Sequence, residues 1–178
     1  MPAGVDVTVA GLAVVDVIGR PMDPADLPAK GSLALVDSIT LTTGGNVPNV
    51  AIDLRRLGFR SAAITRIGRD RLGDAVLTGL REAGVDVRGV VRDNGAQTSS
   101  TIVSVAGDGE RSFFHARGCL TRFRVDDVLR HMPLLRRSRM LMFGYYGLLP
   151  ENDRSLGRLF RAVREQAGCP IRGFFMGG

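Results

Sequence analysis

The sequence predicts an α/β fold in which most strands of the sheet run parallel. Short β-branched segments alternate along the chain with stretches whose apolar residues recur at helical spacing, which is the pattern of strands joined by crossover helices. A pair of glycines, Gly44 and Gly45, stands where the chain turns into the first helix. Apolar residues make up 44% of the 178 residues and charged residues 24%, so one globular domain with its own core is expected.

Five strands and two helices are predicted in the first half of the chain. The strands are apolar, β-branched segments at 5–9, 12–18, 33–42, 61–67 and 85–92. The proline-containing segment 20–32 is a predicted surface loop. The first helix is predicted at 47–57, because its apolar residues repeat at helical spacing and Gly58 follows as a C-cap. The second helix begins after Asp70, which can cap it, and ends at Gly84.

The second half predicts a β-hairpin followed by further helices and strands. Strands at 98–105 and 111–115 flank Gly107-Asp108-Gly109-Glu110, which is a strong hairpin-turn signal. Segment 125–137 has acidic residues early and basic residues late, as a helix does, but Pro133 interrupts it. The remaining predictions are a strand at 139–143, a loop at 144–150, a helix at 151–166 and a strand that begins near 169–171. Ligands of open α/β sheets bind at such loops, where strands end.

Several short motifs occur in an order that is typical of one enzyme family. They are Gly44-Gly45-x-x-x-Asn49-Val50-Ala51, Leu54-x-x-Leu57-Gly58, Gly68-x-Asp70-x-x-Gly73, a first strand at 7–11 with Asp16 downstream, and segments 98–101, 111–115 and 144–150. Together they resemble the N-terminal signature of the ribokinase/PfkB carbohydrate kinase family. The resemblance implies a ribokinase-like three-layer αβα sandwich with a mostly parallel sheet and a small β-sheet lid. The lid strands are expected near 12–20, 33–42, 98–105 and 111–115.

The resemblance also implies ATP-dependent phosphorylation of an alcohol group of a carbohydrate, with Mg²⁺ on the nucleotide phosphates. Family members continue with a second signature, Asp-Thr-x-Gly-Ala-Gly-Asp, whose glycines form an anion hole and whose last aspartate is the catalytic base. Residues 1–178 contain neither this signature nor the nucleotide-binding segment around it. We therefore expect a single truncated ribokinase-like domain that holds the substrate-binding half, without a catalytic residue or metal ligand, and that is inactive alone. The alternative is a non-catalytic sugar-binding or dimerisation module derived from such a kinase.

Four residues around the glycine turn are the main candidates for sugar binding. The resemblance assigns hydroxyl recognition to an aspartate after the first strand, and Asp16 matches it by position, although a turn aspartate is the other interpretation. Gly44 and Gly45 lack a Cβ and so let a ligand approach the main chain. Asn49 can both donate and accept hydrogen bonds. We expect the side chains of Asp16 and Asn49 to face one pocket.

Three further candidates lie in or after the hairpin, where the resemblance places a lid that covers the sugar and often supplies a homodimer contact. Phe113 and His115 can line its underside, because alternate residues of a strand share a face, although a core role for either stays open. Arg117 can bind a phosphate or carboxylate bidentately, or it can be a solvated surface residue. Relatives have a Gly-Ala-Asn turn where this chain has Gly118-Cys119-Leu120, so the expected asparagine is not evident.

The net charge of +6 comes entirely from the second half of the chain. Residues 1–98 hold 11 basic and 11 acidic side chains, and residues 99–178 hold 13 basic and 7 acidic. Such a surface can attract polyanions, but the arginines are scattered without interleaved aromatic residues, so nucleic-acid binding is not expected. The expected partner is the sugar that the resemblance implies.

Three further features bear on the compartment and on a rival function. The chain has two cysteines, no secretory signal and no run of 18 apolar residues, so we expect a cytoplasmic protein without a membrane span. A dinucleotide-binding enzyme would need Gly-x-Gly-x-x-Gly directly after the first strand, and residues 11–16 do not supply it.

Overall fold

A computed structural model of the protein describes residues 4–145, 149, 155–168 and 170–174. In chain order the elements are β1 (Val5–Ala10), β2 (Val14–Arg20), β3 (Ser38–Gly44), α1 (Asn46–Arg56), β4 (Ser61–Gly68), α2 (Arg71–Glu82), β5 (Asp86–Asp93), β6 (Ser100–Val105), β7 (Arg111–Ala116), a 3₁₀ helix (Gly118–Arg122), α3 (Val125–Leu129), α4 (Met132–Leu135), β8 (Ser138–Gly144), α5 (Leu156–Ala167) and β9 (Ile171–Phe174).

The main sheet contains five parallel strands in the order β5-β4-β1-β8-β9. Helices α1 and α2 cover one face, and the 3₁₀ helix, α3, α4 and α5 cover the other. The core of the first face includes Val9, Val47, Ile67, Val76 and Leu80, and that of the second includes Ile64, Phe123, Leu141, Phe143 and Leu159. The central strand β1 is buried between these two layers, as parallel sheets require. This architecture confirms the predicted three-layer αβα sandwich.

The two helices of the first half begin and end where the sequence indicates. The Asp70 carboxylate accepts a hydrogen bond of 2.8 Å from the backbone N–H of Gly73 and so caps α2. Gly58 and Gly84 follow α1 and α2 with φ angles of 87° and 77°. Glycine adopts this left-handed conformation without steric cost, which allows each helix to end there. Both predicted helices are therefore confirmed.

A second, smaller sheet contains four strands in the order β3-β2-β6-β7. Strand β2 runs parallel to β6 and antiparallel to β3, and β6 pairs with β7 as the predicted antiparallel hairpin. None of these four strands pairs with the main sheet within the described part of the chain. The chain enters this sheet directly after β1 and leaves β3 directly into α1. The second sheet therefore adjoins the amino terminus of α1.

The predicted start of β3 is wrong, whereas the predicted interruption at Pro133 is confirmed. The strand predicted at 33–42 begins only at Ser38, because its partner β2 ends at Arg20, opposite Ser38, and Pro21 has no N–H to continue the ladder. Segment 125–137 is interrupted as predicted and forms two short helices, with Pro133 in the first turn of α4, where a missing N–H is tolerated. The predicted start of the last helix, at 151, lies outside the described residues.

Candidate functional site

Four polar side chains form a row across one face of the second sheet. Asp16 on β2 lies opposite Thr42 on β3 and Thr101 on β6, and Thr101 lies opposite His115 on β7. Residues opposite one another on neighbouring strands project from the same face. We call Thr42, Asp16, Thr101 and His115 the polar row. It brings together two predicted site residues, Asp16 and His115, and Asp16 lies within a strand rather than in a turn.

A hydrogen bond joins two members of the polar row, Thr101 and His115. Thr101 Oγ1 lies 3.1 Å from His115 Nδ1, and Asp16 lies opposite Thr101 on the neighbouring strand. Burial raises the pKa of Asp16, while Thr101 and the neighbouring His115 oppose this rise. Burial lowers the pKa of His115, against the charge of Asp16, which raises it. Desolvation thus moves both groups towards their neutral forms, although Asp16 is half-buried and His115 is exposed.

The two positions of the turn require glycine for different structural reasons. A Cβ on Gly44 would overlap Asp16 Oδ2, so glycine at this position lets the Asp16 carboxylate lie against the main chain. Gly45 has a φ angle of 85°, and a Cβ there would lie 2.5 Å from the carbonyl oxygen of Leu12. The group that approaches Gly44 in this structure is therefore the protein's own carboxylate.

Two more residues, Tyr145 and Arg117, interact electrostatically with members of the polar row. Tyr145 directly follows β8 with a φ angle of 60°, which is uncommon for a residue with a side chain. Burial raises its pKa, and the charge of Asp16 raises it further. Arg117 directly follows β7 and is exposed. Burial is the main cause that lowers the pKa of His115, the charge of Asp16 raises it, and the charge of Arg117 lowers it. Sequence reasoning predicted the loop 144–150 but did not select Tyr145, and residues 146–148 and 150 lie outside the described part.

The structure places the other two predicted residues near the site without joining them to Asp16. Phe113 shares the face of the polar row, since its partner Val103 lies two residues along β6 from Thr101, and it is 64% exposed. Asn49 lies in the first turn of α1 and is exposed. No contact among the described residues links Asn49 to Asp16, so their convergence on one pocket stays a prediction.

The buried asparagine of the glycine turn is Asn46. Its Oδ1 accepts a 2.8 Å hydrogen bond from the N–H of Leu12, and its Nδ2 donates a 3.0 Å bond to the carbonyl oxygen of Ala10. A Cβ on Gly11 would lie 2.7 Å from Asn46 Oδ1, so the backbone at Gly11 packs closely against this amide. Asn46 therefore holds the segment where the chain passes from the main sheet to the second sheet. The sequence carries no local signal that distinguishes this buried asparagine from exposed Asn49.

We call the hydrogen bonds of Asn46 the first anchor of the second sheet. A second anchor lies just before β6. Asp70 accepts hydrogen bonds of 2.7 Å from both the N–H and the hydroxyl of Thr98, and the Thr98 hydroxyl oxygen accepts one of 2.9 Å from the N–H of Gly68. Burial acts to raise the pKa of Asp70, but these bonds and the one from Gly73 hold it below its ordinary value. The Gly68-x-Asp70-x-x-Gly73 motif thus fixes the base of the second sheet to α2.

A third anchor is ionic and follows β7. Arg66 on β4 donates hydrogen bonds of 2.7 Å to Asp93 and 2.8 Å to Asp127, and Arg122 of the 3₁₀ helix donates one of 3.1 Å to Asp93. Asp93 and Asp127 are buried, so their charges need these partners. Of the arginines in this network, Arg122 belongs to the basic second half of the chain and Arg66 to the first half.

The described residues contain no group of three or more histidine, cysteine, aspartate or glutamate side chains that could hold a metal ion. We assign no metal position to them. No helix in the same part of the chain has the length and apolar character needed to cross a membrane.

Solved structures show the same fold over nearly the whole chain. The ribokinase of Arabidopsis thaliana complexed with ribose and ATP matches with a TM-score of 0.76 at 22% identity, over 99% of this chain and 54% of that one. The fructokinase of Halothermothrix orenii matches with a TM-score of 0.71 at 24% identity, over 95% of this chain and 56% of that one. These similarities confirm the ribokinase-like fold.

Sequence relatives agree with the structural comparison. Fructokinase-1 of Oryza sativa subsp. japonica is 32% identical over 138 residues, which cover 78% of this chain and 43% of that protein. Probable fructokinase-3 of Arabidopsis thaliana is 33% identical over 126 residues, which cover 71% of this chain and 36% of that protein. The chain thus spans less than half the length of these relatives. Residues 6–172 match the model of the pfkB family carbohydrate kinases, and the chain belongs to this family.

Proposed function

We propose that this chain binds the sugar acceptor in the reaction of an ATP-dependent carbohydrate kinase. The observation that carries the proposal is the polar row, in which the Asp16 carboxylate lies against the Gly44 main chain beside Thr101 and His115. A carboxylate accepts hydrogen bonds from sugar hydroxyls, and such bonds strengthen where water is partly excluded. Membership of the family and the fructokinase relatives support a carbohydrate as the ligand.

Each candidate residue has a distinct proposed role. Asp16 accepts hydrogen bonds from hydroxyls of the sugar, and Asn49 both donates and accepts hydrogen bonds. Gly44 and Gly45 keep the floor of the site free of side chains. Phe113, His115 and Arg117 contact the sugar from the second sheet, which acts as a lid. A lid limits the access of water, which would otherwise compete with the sugar as phosphoryl acceptor.

The contribution of this chain to the chemistry is binding and orientation of the acceptor hydroxyl. ATP supplies the phosphoryl group in this reaction class, and Mg²⁺ neutralises charge on its phosphates. We assign neither group a position in this chain. A sugar-binding protein without transferase activity is the second candidate function. It is favoured by the polar row, because hydrogen bonding of a sugar to Asp16 does not require phosphoryl transfer.

The opposite face of the lid suits a second copy of this chain. Leu41, Val17, Ile102 and Phe114 lie opposite one another on the four strands and form an apolar row. Leu41, Ile102 and Phe114 are each at least 50% exposed. Contiguous exposed apolar side chains on a monomer are typical of an interaction surface. We therefore propose a homodimer that forms through the lid.

The test of sugar binding compares two isosteric substitutions. Binding of D-fructose and D-ribose is measured by calorimetry for the wild type, Asp16→Asn and Asp53→Asn, the last of which changes an exposed carboxylate on α1. Hydrogen bonds to a charged group contribute about 1.5–3 kcal/mol, so Asp16→Asn should weaken binding roughly 10- to 100-fold. Asp53→Asn should leave it unchanged.

Thermal stability gives a second readout for Asp16→Asn. Because burial raises the pKa of Asp16, its charged form is disfavoured in the folded state, and the substitution should raise Tm at neutral pH. This gain should disappear as the pH falls through the folded pKa towards the ordinary value of 3.8, where the wild-type carboxyl is protonated in both states. Equal sugar affinity of the wild type and Asp16→Asn would contradict the proposed function.

A further inference from the structure

A polar cavity of about 350 Å³ lies at the third anchor, between β4, the 3₁₀ helix and α3. Arg66 and Asp93 lie near the carboxyl ends of the neighbouring strands β4 and β5, and ligands of open α/β sheets bind at such ends. The described residues that line the cavity are Arg66, Arg122, Arg124, Asp126, Asp127 and Arg130. None of them belongs to the polar row, so the cavity is a second candidate site.

Three guanidinium groups at this cavity share two carboxylates. Asp93 accepts hydrogen bonds from Arg66 and Arg122, and Asp127 pairs with Arg66 at 2.8 Å and with Arg130 at 3.3 Å. Both aspartates are buried, so their charges are committed to this network. Three positive charges against two negative ones leave an excess of one positive charge beside the cavity, which favours an anion as its ligand.

Arg122 and Arg130 retain donors for such a ligand. A guanidinium has five N–H donors. Among the described residues, Arg122 bonds to a carboxylate through Nη1, and Arg130 bonds to one through Nη2 and to the carbonyl oxygen of Asp126 through Nε. Their side chains are 51% and 54% exposed, so the other N–H groups are accessible. A Cβ on Gly95 would overlap Arg122 Nη1, so this guanidinium lies directly against the main chain.

We propose that this cavity binds a phosphate dianion, either free phosphate or the phosphate group of a small monoester, with Arg122 and Arg130 as its main donors. Guanidinium groups bind phosphate oxygens bidentately, and such charge-assisted hydrogen bonds are stronger than neutral ones. The Asp126 carboxylate on the wall pairs with Arg158 of α5, so its charge is balanced and does not exclude an anion. The proposal does not rest on the sugar site, because the two sites share no residue.

The test is a calorimetric titration of the 178-residue protein with inorganic phosphate in about 0.15 M NaCl, where salt screens loose ion association. One phosphate should bind per chain. Arg122→Gln and Arg130→Gln should each weaken binding roughly 10- to 100-fold, because each removes hydrogen bonds to a charged ligand. Arg56→Gln is the control, since it removes the same charge from an exposed arginine on α1. This variant should bind phosphate like the wild type.

Two further measurements keep the result decisive. Arg122→Lys retains a charge beside buried Asp93 if Arg122→Gln does not fold, and it should still bind phosphate more weakly, since an ammonium group lacks the planar fork. Titration with methyl phosphate identifies the source of the ligand: equal affinity would show that the cavity admits a monoester, and exclusion would indicate free phosphate. The absence of saturable binding to the wild type at millimolar phosphate, or an equal loss in Arg56→Gln, would overturn the proposal.

Discussion

At the scale of single residues, Gly44 links the geometry of the site to that of the fold. A Cβ at this position would overlap Asp16 Oδ2 and lie 3.1 Å from Val14 Cγ2. We predict that Gly44→Ala displaces the Asp16 carboxylate and weakens sugar binding at least tenfold, with a stability loss of about 1–3 kcal/mol from overpacking. Calorimetry and denaturant unfolding measure the two effects.

A matched glycine provides the control for Gly44→Ala. Gly79 lies inside α2, and the nearest atom to a Cβ there is Thr43 Cγ2 at 4.0 Å, which is an ordinary contact. Gly79→Ala should therefore raise stability by roughly 0.5–1 kcal/mol, because alanine is the better helix former, and leave sugar affinity unchanged. If both alanine variants bound sugar equally well, the Asp16 carboxylate would not need the space beside Gly44.

The sequence indicated which residue types form the candidate site, but it did not indicate which residues lie next to them in the fold. Asp16 and His115 could be selected from their types and from the resemblance, but Thr101 could not, because it faces Asp16 only through the parallel register of β2 and β6. That register depends on tertiary pairing between strands far apart in the chain. The two asparagines of the turn show the same limit, since nothing local distinguishes buried Asn46 from exposed Asn49.

At the scale of elements, Asn46 and Asn49 should have separable effects. Asn46→Ala leaves the N–H of Leu12 and the carbonyl of Ala10 without their partner at the entry to β2. Each buried unsatisfied group costs about 1–3 kcal/mol, so we predict a stability loss of about 2 kcal/mol or more and a fall in Tm of roughly 4–8 °C. Thermal unfolding followed by circular dichroism measures it.

Asn49→Ala is the control on the same helix. Its side chain is exposed, so stability should change by about 0.5 kcal/mol or less, while sugar affinity should fall if Asn49 contacts the ligand. A large loss of stability in Asn49→Ala, or none in Asn46→Ala, would show that the roles assigned to the two residues are wrong.

Element boundaries depart from the sequence pattern where pairing or packing decides. Residues 33–37 continue the apolar pattern of β3 but have no strand to pair with beyond Arg20. Pro133, by contrast, indicated the interruption between α3 and α4 correctly, because proline has no N–H for the interior of a helix. Caps are local, and for that reason Asp70, Gly58 and Gly84 marked the ends of α1 and α2 correctly from the sequence.

At the scale of the whole molecule, three anchors join the lid to the main sheet. They are Asn46 at the entry to β2, Asp70 with Thr98 before β6, and the Arg66 network at the 3₁₀ helix after β7. All three lie at the base of the lid, whereas its two faces carry the polar row and the apolar row. The alternation of strands and helices predicted the main sheet, but the separation of β2, β3, β6 and β7 into a second sheet came from the family resemblance. Periodicity within a strand does not indicate which sheet it joins.

We predict that a polypeptide of these 178 residues alone does not catalyse phosphoryl transfer. Phosphoryl transfer needs a base for the hydroxyl proton, donors for the charge on the phosphoryl group, and a nucleotide site. The sequence contains no Asp-Thr-x-Gly-Ala-Gly-Asp segment to supply the first two. The loss of one oxyanion donor already lowers a rate by about 10²–10³, so the combined absence should reduce turnover below detection.

The measurement pairs binding with turnover in one sample. A polypeptide of these residues is incubated with Mg²⁺-ATP and D-fructose or D-ribose, ADP release is followed by a coupled assay, and sugar binding is measured by calorimetry. We expect sugar binding that depends on Asp16 together with no sugar-dependent ADP release, because the polar row lies within the chain and the second signature does not. Turnover that scales with the amount of protein and is lost in Asp16→Ala would show instead that other residues of this chain activate the hydroxyl and hold the nucleotide.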